Sequence, residues 1–425
     1  MEDIMQYLWQ NRLYGSPDKQ LKDGRRVRIL HPGLQNNAAG PDFFNAKIII
    51  DGLEWVGNIE LHLRASDWYR HGHQNDPAYD NIILHVVGQD DADIPRSDGT
   101  IIPQLTIPFD RETAARYSLL KQHGQPMRCA RYLPGVPSLF KRDWIEGAAH
   151  ERLLEKSDRI LQTLQQNGGD WNQAVLICIA RGLGFGSNSI PFELLGKSIP
   201  LNVAGHHTDS QPQLEALLFG QAGMLDPTRT IDPYYRYLTD EYAFLASKYR
   251  LRPLPSHIWQ RGRIRPGGQA PRRIALLATL LREGTTLLSR ILEIRDDINA
   301  LRDLFRPRLP WYWTNRLDFG QFTATTVQTA ISPQMASTLL INTAAPIFHA
   351  YGIATYEPAY GQLALWLLHN LPAESNYITQ QWQRAAGITP LDAFESQGLI
   401  QITKAYCQPG NCLRCRIAHR CLRVQ

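Results

Sequence analysis

Two apolar runs meet at Asp51-Gly52, and that junction constrains the fold more than any other feature of the chain. Ala46–Ile50 (AKIII) leads into it and Leu53–Leu63 (LEWVGNIELHL) leads out. Asp-Gly favours the left-handed backbone of a two-residue hairpin turn, so the runs predict an antiparallel pair whose register the turn sets. Asn81–Val87 (NIILHVV), bounded by Asp80 and Gly88, predicts a third strand. Ile102–Phe109 predicts a fourth, with Pro103 and Pro108 pushing it toward an edge.

After a Pro- and Gly-rich stretch over His123–Phe140, read as a linker or strap, the apolar period becomes helical. Helices are expected over Ala148–Gln166, Trp171–Gly182, Leu214–Phe219, Tyr234–Tyr249, Pro271–Arg282, Leu287–Phe305, Gly361–His369, Asn376–Ala386 and Leu391–Gly398. Pro271 reads as a helix start and Gly398 as the residue past a helix end. The expected class is α+β. A small N-terminal α/β domain spans residues 1–125, a larger all-helical domain 126–400, and a four-cysteine knuckle over 401–425 packs on the helical domain.

With 43% hydrophobic and 20% charged residues, the chain is neither largely disordered nor a coiled coil. No apolar run is long enough to span a membrane, and MEDIMQYLWQ lacks the basic region and apolar core of a secretory leader. A cytoplasmic location with reduced thiols is the resulting expectation. The net charge of +5 permits an acidic partner without demanding one.

Asp42, Glu60 and His62 form the first candidate site. Alternation along a strand projects Glu60 and His62 together while Ile59, Leu61 and Leu63 point the other way. Asp42 and Glu60 offer the carboxylates a Mg²⁺ or Mn²⁺ ion needs, with the Leu61 carbonyl as a further oxygen. Such an ion polarises a phosphoryl oxygen and acidifies a bound water, which an ordinary imidazole at His62 would orient or deprotonate. A regular hairpin sets Asp42 opposite Leu61 and turns it away from Glu60. The site therefore requires an irregularity, at Gly57-Asn58 or through an early end of the first strand at Gly40-Pro41. The alternative is a solvated sheet face. Asp67, His71, His73, Asp76, Tyr79 and His85 follow closely, and RHGHQND could close over the site, donating from His71 and His73 to phosphate or binding metal. A polar connecting loop is the plainer reading of each histidine alone.

The most specific signal is at the C-terminus, where Cys407, Cys412, Cys415 and Cys421 stand in the spacing Cx4Cx2Cx5C. Four thiolates suit either a structural Zn²⁺ or a [4Fe–4S] cluster. Lys404, Arg414, Arg416, Arg420 and Arg423 would offset the charge of the centre, and His419 is a spare ligand. Cys129 and Cys178 read as small buried residues. The segment Trp259–Arg273 carries five arginines and a tryptophan without an acid. Arg261, Arg263 and Arg265 could hold phosphates and Trp259 could stack on a base, unless the segment is a solvated basic loop. Gly182–Gly186 (GLGFG) has no preceding strand and no following Lys-Ser/Thr, so it reads as a packing junction, not a phosphate loop. WYWTNRLDFG reads as core.

Pro41-Asp42, seventeen residues, then Glu60-x-His62 resembles the PD-(D/E)XK nuclease pattern, with His62 where that family has Lys. The resemblance implies a restriction-endonuclease-like N-terminal domain and a further acid from an early helix, for which Glu2 is the nearest candidate. The cysteine spacing is similar to the iron–sulfur loop of helical DNA glycosylases, which has a longer first gap. Iron–sulfur nucleases of the PD-(D/E)XK type carry one cysteine far upstream. GPDFFNAKIIIDGLEWVGNIELHLRASDWYRHGHQNDPAYDNIILHVV, ARGLGFGSNSIPFE, ALLFGQAGML and the terminal cysteines together resemble the bacterial domain-of-unknown-function family 2851, which implies a shared architecture but no activity. The leading expectation is a metal-dependent nuclease acting on DNA or RNA. A non-catalytic nucleic-acid-binding scaffold is the alternative, and a redox sensor built on the cysteines is a third.

Overall fold

The computed structural model describes residues 2–36, 39–107, 115, 117–118, 127–262 and 268–423. It divides into two compact units: Met1–Lys141 together with Thr403–Gln425, and Arg142–Ile402. The C-terminal tail, expected on the helical domain, therefore belongs to the N-terminal unit. The Tyr7 hydroxyl lies 2.6 Å from His419 Nδ1, one of the contacts that tie it there.

The first unit opens with helix α1 (Glu2–Gln10) and continues through β1 (Asp18–Gln20), β2 (Arg26–His31), β3 (Leu34–Gln35), β4 (Phe43–Ile50), β5 (Leu53–Arg64), the short helix α2 (Asp67–Arg70), β6 (Ile82–Gln89) and β7 (Gln104–Thr106). These strands form one seven-stranded sheet in the order β1-β2-β4-β5-β6-β7, with β3 pairing β4. The β4–β5 pair is the hairpin expected at Asp51-Gly52, where both residues have positive φ and Ile50 faces Leu53. β6 runs parallel to β5, reached through α2 and two 3₁₀ turns, and β7 pairs parallel with β6.

One face of the sheet is apolar. Phe43, Ala46, Ile48, Ile50, Ile59, Leu61, Leu84 and Val86 pack there with Met5 and Trp9 of α1. Burying a side chain such as Ile48 or Phe43 contributes about 1.5–3 kcal/mol each. Trp9 also donates its indole N–H to the Pro32 carbonyl at 2.8 Å, which fixes α1. On the opposite face a smaller cluster of Trp68, Tyr79, Ile82, Ile94 and Ile102 borders a row of buried polar groups.

The hairpin is not regular. Ala46 pairs with Gly57 but Phe43 pairs with Ile59, so Phe44 and Asn45 stand against Asn58 alone. The expected irregularity exists, but the extra residue is on β4 and not at Gly57-Asn58. Asn45 takes φ +54°, which Asn tolerates better than most residues, and its N–H donates to Asn58 Oδ1 at 3.4 Å. Asn58 in turn donates to Asn81 Oδ1 at 2.8 Å. A second slip between β5 and β6 leaves Ile83 unpaired beside Gly57, where a methyl group would overlap Ile83 Cγ2.

The second unit is helical, around a core that includes Leu214, Leu217, Phe219, Ile274, Leu277 and Phe348. The expected span Leu287–Phe305 is two helices, Leu287–Ile294 and Ile298–Leu304, because Arg295 turns left-handed (φ +54°) and Asp297 caps the second with its side chain. Gly398 does not follow a helix end. It lies inside Ala393–Gln401, where a methyl group would overlap the Ile145 carbonyl. Gly182 packs against Thr343, as a junction requires. Among the described residues, no helix is long and apolar enough to cross a membrane.

Candidate functional site

The β4 bulge moves Asp42 from opposite Leu61 to beside Glu60. The Asp42 N–H donates to Glu60 Oε2 at 3.0 Å, and Asp42 Oδ2 accepts the Leu61 N–H at 3.0 Å. Asp42 Oδ1 accepts from Gln6 Nε2 of α1 at 2.7 Å. Burial, then the charge of Glu60, raises the Asp42 carboxyl to about 7; Leu61 and Gln6 partly offset this, while Glu2 adds to it. The early-helix acid thus does approach Asp42, and one Glu2 carboxylate oxygen is buried without a hydrogen-bond partner.

Glu60 turns its other oxygen toward imidazoles. Oε1 lies 3.2 Å from His73 Nε2 and 3.8 Å from His62 Nε2. His62 Nε2 lies 3.2 Å from His71 Nδ1, and His62 Nδ1 lies 2.8 Å from His85 Nε2. His85 is placed by the parallel pairing of Glu60 with His85, which puts both side chains on one face. His71 and His73 are brought back toward β5 because Gly72 between them takes φ +78°. His73 stacks on Tyr79 with ring centroids 3.9 Å apart, and Trp68 meets His62, His73 and His85 edge-on.

His62 is 1% exposed. Burial, then the neighbouring imidazoles, lowers it to about 2, and burial lowers His85 to about 3. Both are held neutral at ordinary pH, which leaves His62 well below the near-neutral titration its residue type suggested. It is a lone-pair donor. Ligand nitrogens of His62, His71 and His73 all lie within 4.8 Å of one another, with His62 buried and His71 exposed. The sheet therefore brings together Asp42, Glu60 and His62, and adds His71, His73 and His85 around them. Gln6 was missed because nothing local marks an amide on a helix as a partner of a distant acid.

On the Asp42 side, a polar cleft of about 670 Å³ is lined by residues that include Gln6, Gln10, Asn36, Asp42, Arg128 and Arg414. Its far wall is the cysteine tail. That tail runs from a π-turn (Ile402–Cys407) through a 3₁₀ turn (Cys412–Arg414) into the helix Arg416–Arg423. Cys412, Cys415 and Cys421 are buried and Cys407 is half-buried. A fifth sulfur joins them. Cys129 hydrogen-bonds Cys421, which with burial pushes its thiol up, and it also acts on Cys407 and Cys412. Burial raises Cys412 as well, against the pull of Arg128, which hydrogen-bonds its sulfur. His419, the spare ligand, has its Nδ1 2.6 Å from the Tyr7 hydroxyl.

The basic segment divides. Trp259 is buried and donates to the Ala222 carbonyl at 2.7 Å, so it cannot stack on a base. Arg272 and Arg273 are buried and donate to carbonyls, Arg272 to Trp313, Arg316 and Gln328, Arg273 to Leu183. Arg261 is exposed, near Asp318. Arg263 and Arg265 lie outside the described residues.

No curated protein and no solved structure matches the chain. Residues 2–377 match the family described as protein of unknown function DUF2851. That span holds the whole polar sheet face and Cys129 but ends before the cysteine tail. With most of its length so matched, the chain belongs to this family.

Proposed function

We propose that the N-terminal unit is a metal-dependent nuclease, hydrolysing phosphodiester bonds in DNA or RNA. The observation that carries this reading is the pairing of Asp42 with Glu60 across the β4 bulge. A strand end and its neighbour are deformed to crowd two acids, with Glu2 close by, although like charges so placed disfavour one another. A Mg²⁺ or Mn²⁺ ion relieves that repulsion, and carboxylate oxygens are the ligands such ions prefer. The element order is compatible with the nuclease pattern: an acid ahead of β4, then Glu60 and His62 on β5, with Glu2 on the early helix.

The ion would polarise the phosphoryl oxygen and acidify its bound water, so no strong protein base is needed. Neutral His62 would help orient that water. Arg128 and Arg414 line the same cleft as Asp42 and would meet backbone phosphates there. His71, His73 and the arginines at 261, 263 and 265 would add contacts. The cysteine centre, holding Zn²⁺ or a [4Fe–4S] cluster, would anchor the tail that forms the cleft wall. Incubating the full chain with labelled single- and double-stranded DNA and RNA in Mg²⁺ or Mn²⁺ tests this. Cleavage abolished by chelation is the expected result, whereas tight binding without any cleavage favours the scaffold reading.

A further inference from the structure

We propose that His62, His71 and His73, with Glu60 Oε1, form a binding site for a first-row transition ion of the zinc class, separate from the carboxylate oxygens facing Asp42. Two neighbouring atoms bound to one ion at about 2.0–2.1 Å stand roughly 2.8–3.4 Å apart in octahedral or tetrahedral geometry. His62 Nε2 to His71 Nδ1 is 3.2 Å, and His73 Nε2 to Glu60 Oε1 is also 3.2 Å. A third distance, Glu60 Oε1 to His62 Nε2, is 3.8 Å. One shared proton could explain the His62–His71 contact alone. It does not account for His73, whose buried Nε2 stands 3.2 Å from Glu60 Oε1 without hydrogen-bond geometry.

The surroundings are those of a ligand set. A histidine that binds through Nε2 needs its Nδ1–H held by an acceptor, which fixes ring and tautomer. His85 Nε2 lies 2.8 Å from the His62 Nδ1, and either ring can hold the shared proton. Beyond it the Gln104 amide closes the row, its Nε2 3.5 Å from His85 Nδ1 and 3.0 Å from the Ala92 carbonyl. Tyr79 and Trp68 fix the His73 ring. Gly72 lets residues on either side of it turn to the same point. The exposed His71 gives an ion its route in. Three imidazoles and one carboxylate select zinc-class ions over Mg²⁺, which prefers oxygen. The inference shares Glu60 with the hydrolytic reading but goes beyond it, since ion binding here does not require cleavage there.

Titration of the full-length protein with Co²⁺, followed by visible absorption, tests the site. Weak d–d bands without sulfur-to-metal charge transfer are expected, displaced by Zn²⁺, and retained in Cys412→Ser. His71→Ala and His73→Ala should each weaken Co²⁺ binding ten-fold or more. His71 is exposed, so its variant keeps the fold, checked by circular dichroism. Unchanged Co²⁺ affinity in the folded His71→Ala and His73→Ala proteins overturns the inference. So does Co²⁺ absorption arising wholly from thiolates. A parallel cleavage assay separates the two readings. Co²⁺ bound through the histidines without any cleavage supports this site and removes the nuclease. Mg²⁺-dependent cleavage with no histidine-dependent Co²⁺ binding does the reverse.

Discussion

Asn45 is a clean probe of the bulge on which the acidic pair depends. Its side chain is exposed, so replacing it removes little packing, and the hydrogen bond it gives Asn58 comes from its backbone N–H. What remains is the left-handed backbone at φ +54°. Asparagine visits that region readily, glycine freely, and a β-branched residue only at a cost. Asn45→Val should therefore destabilise the N-terminal unit by about 1–2 kcal/mol. For a unit of this size each kcal/mol lowers the melting temperature by about 2–4 °C, so a fall of roughly 2–8 °C is expected by calorimetry. Asn45→Gly should stay within about 0.5 kcal/mol of the parent, because relief of strain offsets the freedom gained by the unfolded chain. Val at this position also favours the regular register, which turns Asp42 away from Glu60, so cleavage should fall further than stability does. Equal melting temperatures for Asn45→Val and Asn45→Gly would refute the reasoning, since no left-handed residue would then be holding the strand.

Three further outcomes follow from other sites. Glu215 is buried, and desolvation raises it to about 7 against the hydrogen bonds from Gln211, Trp313 and Tyr234. Its carboxyl stays neutral in the fold while the unfolded chain ionises near 4.5, so the helical unit loses up to about 3 kcal/mol as pH rises from about 4.5 to about 7; urea titrations at several pH values should show this slope, flattened in Glu215→Gln. If the cysteine centre holds iron or zinc, Cys129→Ala and Cys421→Ala should each lower the metal content of anaerobically purified protein, whereas Cys178→Ala should leave it unchanged; elemental analysis reads all three. Gly398→Ala should destabilise the helical unit by about 1–3 kcal/mol in chemical denaturation, because the added methyl meets the Ile145 backbone and not a flexible side chain.

Much of the sheet was legible because its signals are local. Asp51-Gly52 marks the turn, and alternation assigns Ile59 and Leu61 to one face and Glu60 and His62 to the other. The need for a bulge followed from counting register, but its place did not: asparagine's tolerance of positive φ is a preference, and Gly57 competed for the role. Pro333–Asn342 and Ala344–Thr355 carry no expected helix because Ala345, Ile347, Phe348 and Ala350 are all buried, leaving no apolar stripe to detect. Gly398 was misread because a close approach inside a helix and a helix end use the same residue. In the site, the density of histidines in residues 62–85 was visible, but not their convergence, which depends on the parallel β5–β6 register and on Gly72. Cys129 lies hundreds of residues from the tail in sequence, and only the fold joins its sulfur to the others.

The central claim is that the polar face of the sheet works by placing Glu60 against a cation. Measuring the cleavage rate of a labelled nucleic acid by the parent chain and by Glu60→Gln, at saturating Mn²⁺ and with matched melting temperatures, tests it most directly. The account predicts a loss of at least about 100-fold, the scale seen when a preorganised electrostatic group is removed from a reacting centre. Cleavage by a folded Glu60→Gln protein at the parent rate would contradict it.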